Sequence, residues 1–386
     1  MKLEHNISRI EYLLDLFRLS LDDLLNIISE GLKNPITRED LYAKEIKAST
    51  LKKIDKVFNK GLNFYLDPSE PKHTKDASIF FRKDNFNSDL NIGAKKIVNQ
   101  FEELKISVSA LSKLTEFNLE RKFKVYNVQD NPLDVAFEVR KNLYPTVKNK
   151  NLRDFLKALI NLFADSNIMV FEFIETWNKK DKANINGFFL SPNTLVLKRQ
   201  QKSFRREIFT LIHELGHFLL DEEEIEEVDY KSISKDHLNK IENWCNEFAY
   251  YFLVGDYYKQ IKSLEKADMF NDYHHNLIDE VSKETHLSTL ALYTRLLYDK
   301  KISNSDYNKI RSDIKLAYQE KVAEENRFKE LQKLQGIKQG GSVPKPINSP
   351  LFINTLQNAL YDGIINEYEF CKKLKIKPEK MEQYIQ

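Results

Sequence analysis

His213 and His217 stand four residues apart in Phe209-Thr210-Leu211-Ile212-His213-Glu214-Leu215-Gly216-His217-Phe218-Leu219-Leu220. On a helix, positions i and i+4 differ by only about 40° in direction, so the two imidazoles share a face and can bind one zinc ion. Glu214 points to the flank, where it can hold a metal-bound water and take its proton. The spacing H-E-x-x-H arises by chance in about one such chain in eighty, so its setting has to carry weight. Apolar residues from Ile208 to Leu220 surround nearly the whole helix, which predicts that it is buried. Three polar side chains inside such a helix are costly without partners, and a metal supplies the partner. Gly216 costs about 1 kcal/mol against Ala within a helix. It makes sense if another backbone passes close by.

Two histidines and a water leave a tetrahedral site one protein ligand short. A second helix, Ile241-Glu242-Asn243-Trp244-Cys245-Asn246-Glu247-Phe248-Ala249, offers Glu242 after enough chain to turn back. Asn246 lies one turn beyond Glu242 on the same face and can hydrogen-bond a ligand histidine from behind. Glu247, on a different face, is the second choice of ligand. Cys245 is a further alternative, although its setting between Trp244 and Phe248 reads as packing. His274 and His275 are adjacent, cannot share a helix face, and read as surface residues. The run Asp221-Glu-Glu-Glu-Ile-Glu-Glu-Val-Asp229 holds seven acids in nine residues and reads as a solvated loop.

The elements that must position these groups follow from the pattern around them. Residues 7–32 read as two helices, the second capped by Ser20, and 49–60 as another stopped at Gly61. A long helix is predicted over 92–117, and two helical patterns flank Pro145. Residues 168–175, 185–191 and 194–199 are strand-like. The last of these is expected to be a sheet edge that pairs with substrate backbone. The site helix spans about 204–220, and helices continue to about 335. The fold class is α+β and mostly helical, with a small three-stranded sheet flanked by helical terminal segments. The boundaries expected are 1–70 (helical), 71–125 (helical connector), 126–300 (the mixed domain that holds the site), 301–335 (helical extension), 336–350 (Gly/Pro/Ser-rich linker) and 351–386 (small helical tail).

Composition limits the function. The chain has 386 residues, enough for two or three domains at about 100–200 each. With 41% hydrophobic residues it can bury a core, and 60 basic against 58 acidic side chains argue against gripping nucleic acid by bulk charge. Two cysteines, Cys245 and Cys371, exclude a disulfide scaffold. No apolar run approaches the ~20 residues of a membrane helix. Glu4, Glu11 and Asp15 fall where a signal peptide would be apolar. A cytoplasmic protein without membrane contact is expected.

The two site segments resemble the ImmA/IrrE metallopeptidases. The family pattern R-x-x-F-T-x-A-H-E-x-G-H-x-L-L, then E-x-x-A-N-x-F-A, is matched by Arg206, Phe209, Thr210, His213, Glu214, Gly216, His217, Leu219 and Leu220, then Glu242, Cys245, Asn246, Phe248 and Ala249. Residues 134–143, 185–197 and 286–297 are also similar. Cys245 departs from the usual Ala, and Phe252-Leu253-Val254-Gly255 stands where L-M-P is common. The resemblance implies a zincin-like minimal protease core, with 126–300 as the metallopeptidase domain and 1–70 as a helix-turn-helix-like domain, and a zinc endopeptidase with His213, His217 and Glu242 as ligands and Glu214 as general base. It implies cleavage, in trans, of a helix-turn-helix repressor or antitoxin to derepress genes. Residues 7–66 resemble an XRE-type helix-turn-helix in outline, but residues 1–70 carry 11 basic and 12 acidic side chains. A groove-reading module neutralises several phosphates, so contact with protein is favoured over DNA. The alternatives are a DNA- or repressor-binding regulator whose metal domain is sensory and non-catalytic, and the toxin of a toxin–antitoxin pair.

Overall fold

The computed structural model describes all residues except 72–77, 83–89, 147–150, 176–181, 200–202, 226–239, 336–344 and 386. Most of the expected linker, residues 336–344, and residues 226–229 of the acidic run lie outside the described residues. The fold is α+β and mostly helical.

The chain opens with strand β1 (Lys2–Glu4), helices α1 (Ile7–Phe17), α2 (Leu21–Ser29) and α3 (Arg38–Tyr42), strand β2 (Glu45–Lys47), and helices α4 (Ala48–Phe58) and α5 (Leu62–Leu66). Ser20 caps α2 by accepting from the Asp23 amide. α4 ends because Asn59 turns left-handed and the Asp55 carboxylate takes the Lys60 and Gly61 amides. β1 and β2 pair antiparallel, from Lys2 opposite Lys47 to Glu4 opposite Glu45. This ribbon was not expected, because three-residue strands are too short to show a period. The short α6 (Ile79–Arg82) precedes α7 (Ile92–Leu114), which Asn91 caps.

Helices α8 (Pro132–Leu143) and α9 (Leu152–Asp165) lead into the sheet: β3 (Met169–Phe173), β4 (Gly187–Leu190) and β5 (Thr194–Lys198). Helices α10 (Phe204–Leu220), α11 (Lys240–Val254), α12 (Tyr257–Ser263), α13 (His275–Thr285) and α14 (Thr289–Tyr298) follow. Then come the 31-residue α15 (Asn304–Leu334), and α16 (Pro350–Tyr361) and α17 (Glu367–Leu374) in the tail.

The strand order is β3-β5-β4, with β3 parallel and β4 antiparallel to β5. This corrects the expected edge. The strand over 194–199 is central, hydrogen-bonded on both sides, so it has no free edge to offer a substrate. β4 and β3 are the edges.

The register aligns Val170, Leu195 and Phe189 across the sheet, and beside them Phe171, Val196 and Phe188. Successive side chains point to opposite faces. The first set joins the apolar core built with α8–α11; the second joins a separate core with α1–α7 and the tail. Phe101 of α7 and Phe352 of α16 both pack on Phe171, at ring distances of 5.6 and 5.2 Å. A sheet covered on both faces accounts for strands that read as continuous apolar runs. The tail helix α16 therefore meets the sheet on the face turned away from α10.

Candidate metal centre

Ser203 accepts the Arg206 amide at the start of α10. Asp221 ends the helix in the left-handed region at φ 54°, and the Glu222 amide bonds back to the His217 carbonyl at 3.0 Å. Every residue from Glu207 to Leu220 is buried. α10 is wedged between the sheet and α11, which is why its apolar side chains run round the whole circumference.

Gly216 sets the approach of α11. A Cβ there would lie 3.1 Å from the Cα, the Cβ and the Sγ of Cys245. The absent methyl lets the two helices close and brings Glu242 alongside the histidines. Trp244 anchors α11 from the other side: its indole N–H donates to the Asp130 carbonyl at 2.8 Å and its ring stacks on Phe248.

The three residues meet. Glu242 Oε2 is 3.2 Å from His213 Nε2, Glu242 Oε1 is 2.9 Å from His217 Nε2, and the two Nε2 atoms are 3.2 Å apart. Behind them, His213 Nδ1 donates to Asn246 Oδ1 at 3.1 Å and His217 Nδ1 to the Glu222 carbonyl at 3.2 Å. Both outer partners are acceptors, so in the neutral rings the hydrogens sit on Nδ1 and the lone pairs on Nε2. Two lone pairs and a carboxylate thus converge in a site only 2% exposed, and their mutual repulsion calls for a cation between them. Among the described residues this is the group of His, Cys, Asp or Glu whose ligand atoms converge, all within 4.8 Å.

The electrostatics show how strongly this site favours a positive charge, which a proton on an imidazole or a metal ion can supply. Burial alone would raise the Glu242 carboxyl, but His217 and His213 beside it hold it well below the usual carboxylate range. Burial opposes charge on His217, yet Cys245 and Glu242 raise its pKa well above the ordinary value. Burial pushes the Glu214 carboxyl up to about 7, against the pull of both imidazoles and with help from Glu242. A base with a pKa near neutrality is matched to proton transfer at physiological pH.

The remaining sequence candidates fall outside this convergent group. Glu247 turns away and pairs with Arg295, whose guanidinium also lies against Tyr250, Tyr251 and Tyr298. Cys245 is a free, buried thiol packed on Gly216, and burial pushes its pKa up to about 11. His274 and His275 are partly exposed and away from the centre: His274 bonds the Glu265 carbonyl and His275 the Tyr293 hydroxyl. The described part of the acidic run is solvated only at its start, where Asp221 and Glu222 are exposed. Glu223 accepts the Ser191 amide at 2.9 Å, Asp221 accepts the Ser191 hydroxyl, and Glu224 and Ile225 are buried. The Glu222 carbonyl behind His217 was invisible in the sequence, because any residue type supplies a carbonyl.

Residues 164–297, from the end of α9 through α14, match the family model Peptidase_M78, the IrrE N-terminal-like domain. The match supports the ImmA/IrrE resemblance over this stretch and indicates a peptidase of metallopeptidase type. No curated protein and no solved structure matches the chain.

Proposed function

We propose that this protein is a zinc-dependent endopeptidase of the cytoplasm that cleaves a helix-turn-helix repressor or antitoxin in trans and so derepresses genes. The observation that carries the reading is the convergence of His213 Nε2, His217 Nε2 and the Glu242 carboxylate, with Glu214 one residue from His213 and within electrostatic reach of all three. Two imidazoles and one carboxylate suit zinc and leave a position for water or substrate. Bound zinc would polarise the scissile carbonyl and make water acidic enough to attack it.

The chain's own residues do the rest. Asn246 and the Glu222 carbonyl fix which nitrogen of each imidazole faces inward. Glu214 takes the proton of the attacking water on its carboxylate and passes it to the leaving nitrogen. β4 is the sheet edge beside Glu214, so an extended substrate segment pairs there and not on β5.

The charge balance of the N-terminal helices favours a protein target over DNA. The two buried free cysteines suit a reducing compartment, and among the described residues no helix is long and apolar enough to cross a membrane.

The test is incubation with the helix-turn-helix repressor encoded nearby, wild type beside Glu214→Gln, with zinc content measured in both. Cleavage by the wild type alone, at equal zinc, is the expected result. Equal proteolysis by both proteins would overturn the assignment.

A further inference from the structure

We infer that Gly187 is the positioning residue for Glu214: its missing side chain leaves the slot in which the base's carboxylate lies. The inference rests on the peptidase reading above and adds to it a residue outside the H-E-x-x-H helix.

A glycine inside a strand weakens it and marks a close approach of something else. Gly187 opens β4, opposite Leu197 of β5, and its φ lies outside the left-handed range, so backbone conformation does not call for glycine. Space does. A Cβ on Gly187 would lie 2.8 Å from Glu214 Oε1, 2.8 Å from Thr210 Cγ2 and 3.0 Å from Glu214 Cγ.

Gly187 sits two residues from Phe189 along β4, so it shares the sheet face that packs on α10. Thr210 and Glu214 are one helical turn apart and share the face of α10 that meets this strand. His213 and His217 face α11. The strand thus meets α10 at Thr210 and Glu214, whereas His213 and His217 meet Glu242 of α11.

Burial confines both neighbours. Thr210 is fully buried, and a β-branched side chain in a helix has few rotamers open to it. Glu214 is 4% exposed. An added methyl would have to turn the carboxylate out of its slot or push β4 off the helix. In either case the base leaves the position from which it meets water, while the ligands stay where α11 holds them.

The experiment is a thermal double-mutant cycle on the full chain, joined to zinc analysis and a kinetic assay. All variants carry Thr210→Ser, which removes the rigid methyl and leaves Glu214 as the contact tested. Gly187→Ala is expected to lower Tm by at least about 3 °C with Glu214 present and by less than about 1 °C in the Glu214→Ala partner. Zinc content is expected to be unchanged by Gly187→Ala. With dye-labelled casein as probe, kcat is expected to fall at least tenfold at a KM within twofold.

Equal Tm losses in the two backgrounds, or unchanged kcat, would overturn the role of Gly187. Casein cleavage that is equal in wild type and Glu214→Gln would instead overturn the peptidase reading. The thermal cycle would then decide alone whether Gly187 holds Glu214.

Discussion

Asn246 Oδ1 accepts the Nδ1 hydrogen of His213 at 3.1 Å, one helical turn beyond Glu242 on the same helix. One face of α11 therefore carries both the carboxylate that meets the two imidazoles and the amide that orients one of them. Removing such an outer partner typically costs 10–100-fold in metal affinity. Asn246→Ala is expected to weaken zinc binding by about that factor, and Asn246→Asp to preserve it, since a carboxylate accepts the same hydrogen. Competition against a chelating dye measures this, and equal affinity in Asn246→Ala and wild type contradicts it.

Glu242 and Glu247 lie five residues apart and have opposite fates. Glu242→Ala is expected to abolish zinc retention through desalting. Glu247→Ala is expected to keep full zinc content and lose only the pairing with Arg295. Elemental analysis of the two purified variants decides, and zinc in the first or none in the second would reverse the ligand assignment.

Gly216→Ala places a methyl against the backbone of Cys245. Overpacking of this kind costs about 1–3 kcal/mol. The variant is expected to be less stable by that amount and to bind zinc more weakly, because α11 carries Glu242 away as it moves. Cys245→Ala should rescue only part of the loss, since the Cα and Cβ contacts persist. Urea denaturation and zinc titration test both halves, and full rescue would mean that the thiol alone sets the spacing.

Zinc that binds the folded protein and not the unfolded chain stabilises it by mass action, about 4 kcal/mol at a free concentration a thousandfold above Kd. Chelation is expected to lower Tm by several degrees, reversibly, and to have no such effect on Glu242→Ala. Calorimetry with and without a chelator makes the comparison; the same shift in the variant would place the stabilising metal elsewhere.

One guanidinium serves two buried carboxylates at the N-terminal end of α10. Arg199 Nη1 bonds Glu207 at 2.5 Å, while its Nε faces Glu172 at 3.5 Å without a hydrogen bond. Burial pushes Glu172 up to about 7, with Arg199 and the Ile347 amide opposing and Glu207 assisting. The folded state thus holds this proton better than the unfolded chain, whose carboxyl titrates near 4.5. The contribution is fully present below about pH 4.5 and is lost as pH rises through about 7, roughly 3 kcal/mol in all. Glu172→Gln is expected to flatten that decline between pH 5 and pH 8 in urea melts. Parallel slopes for variant and wild type would exclude Glu172 as the cause.

Much of the site was readable along the chain because its determinants are local. Helical spacing alone puts His213 and His217 on one face, and Ser20 caps α2 through the amide three residues on. The apolar circumference of α10 predicted its burial. Asn246 was found by the same arithmetic once Glu242 was chosen.

Tertiary structure decided what depends on residues distant in sequence. β4 and β5 are neighbours along the chain, and both read as apolar strands. Only the parallel pairing of β3 makes β5 central and leaves β4 as the edge beside Glu214, because a doubly covered sheet makes every strand look alike in sequence. Whether Glu242 or Glu247 reaches the histidines turned on which face of α11 meets Gly216. Gly187 carried no sign of its role, since a glycine records the absence of a side chain and only a neighbour brought close by folding gives that absence a purpose.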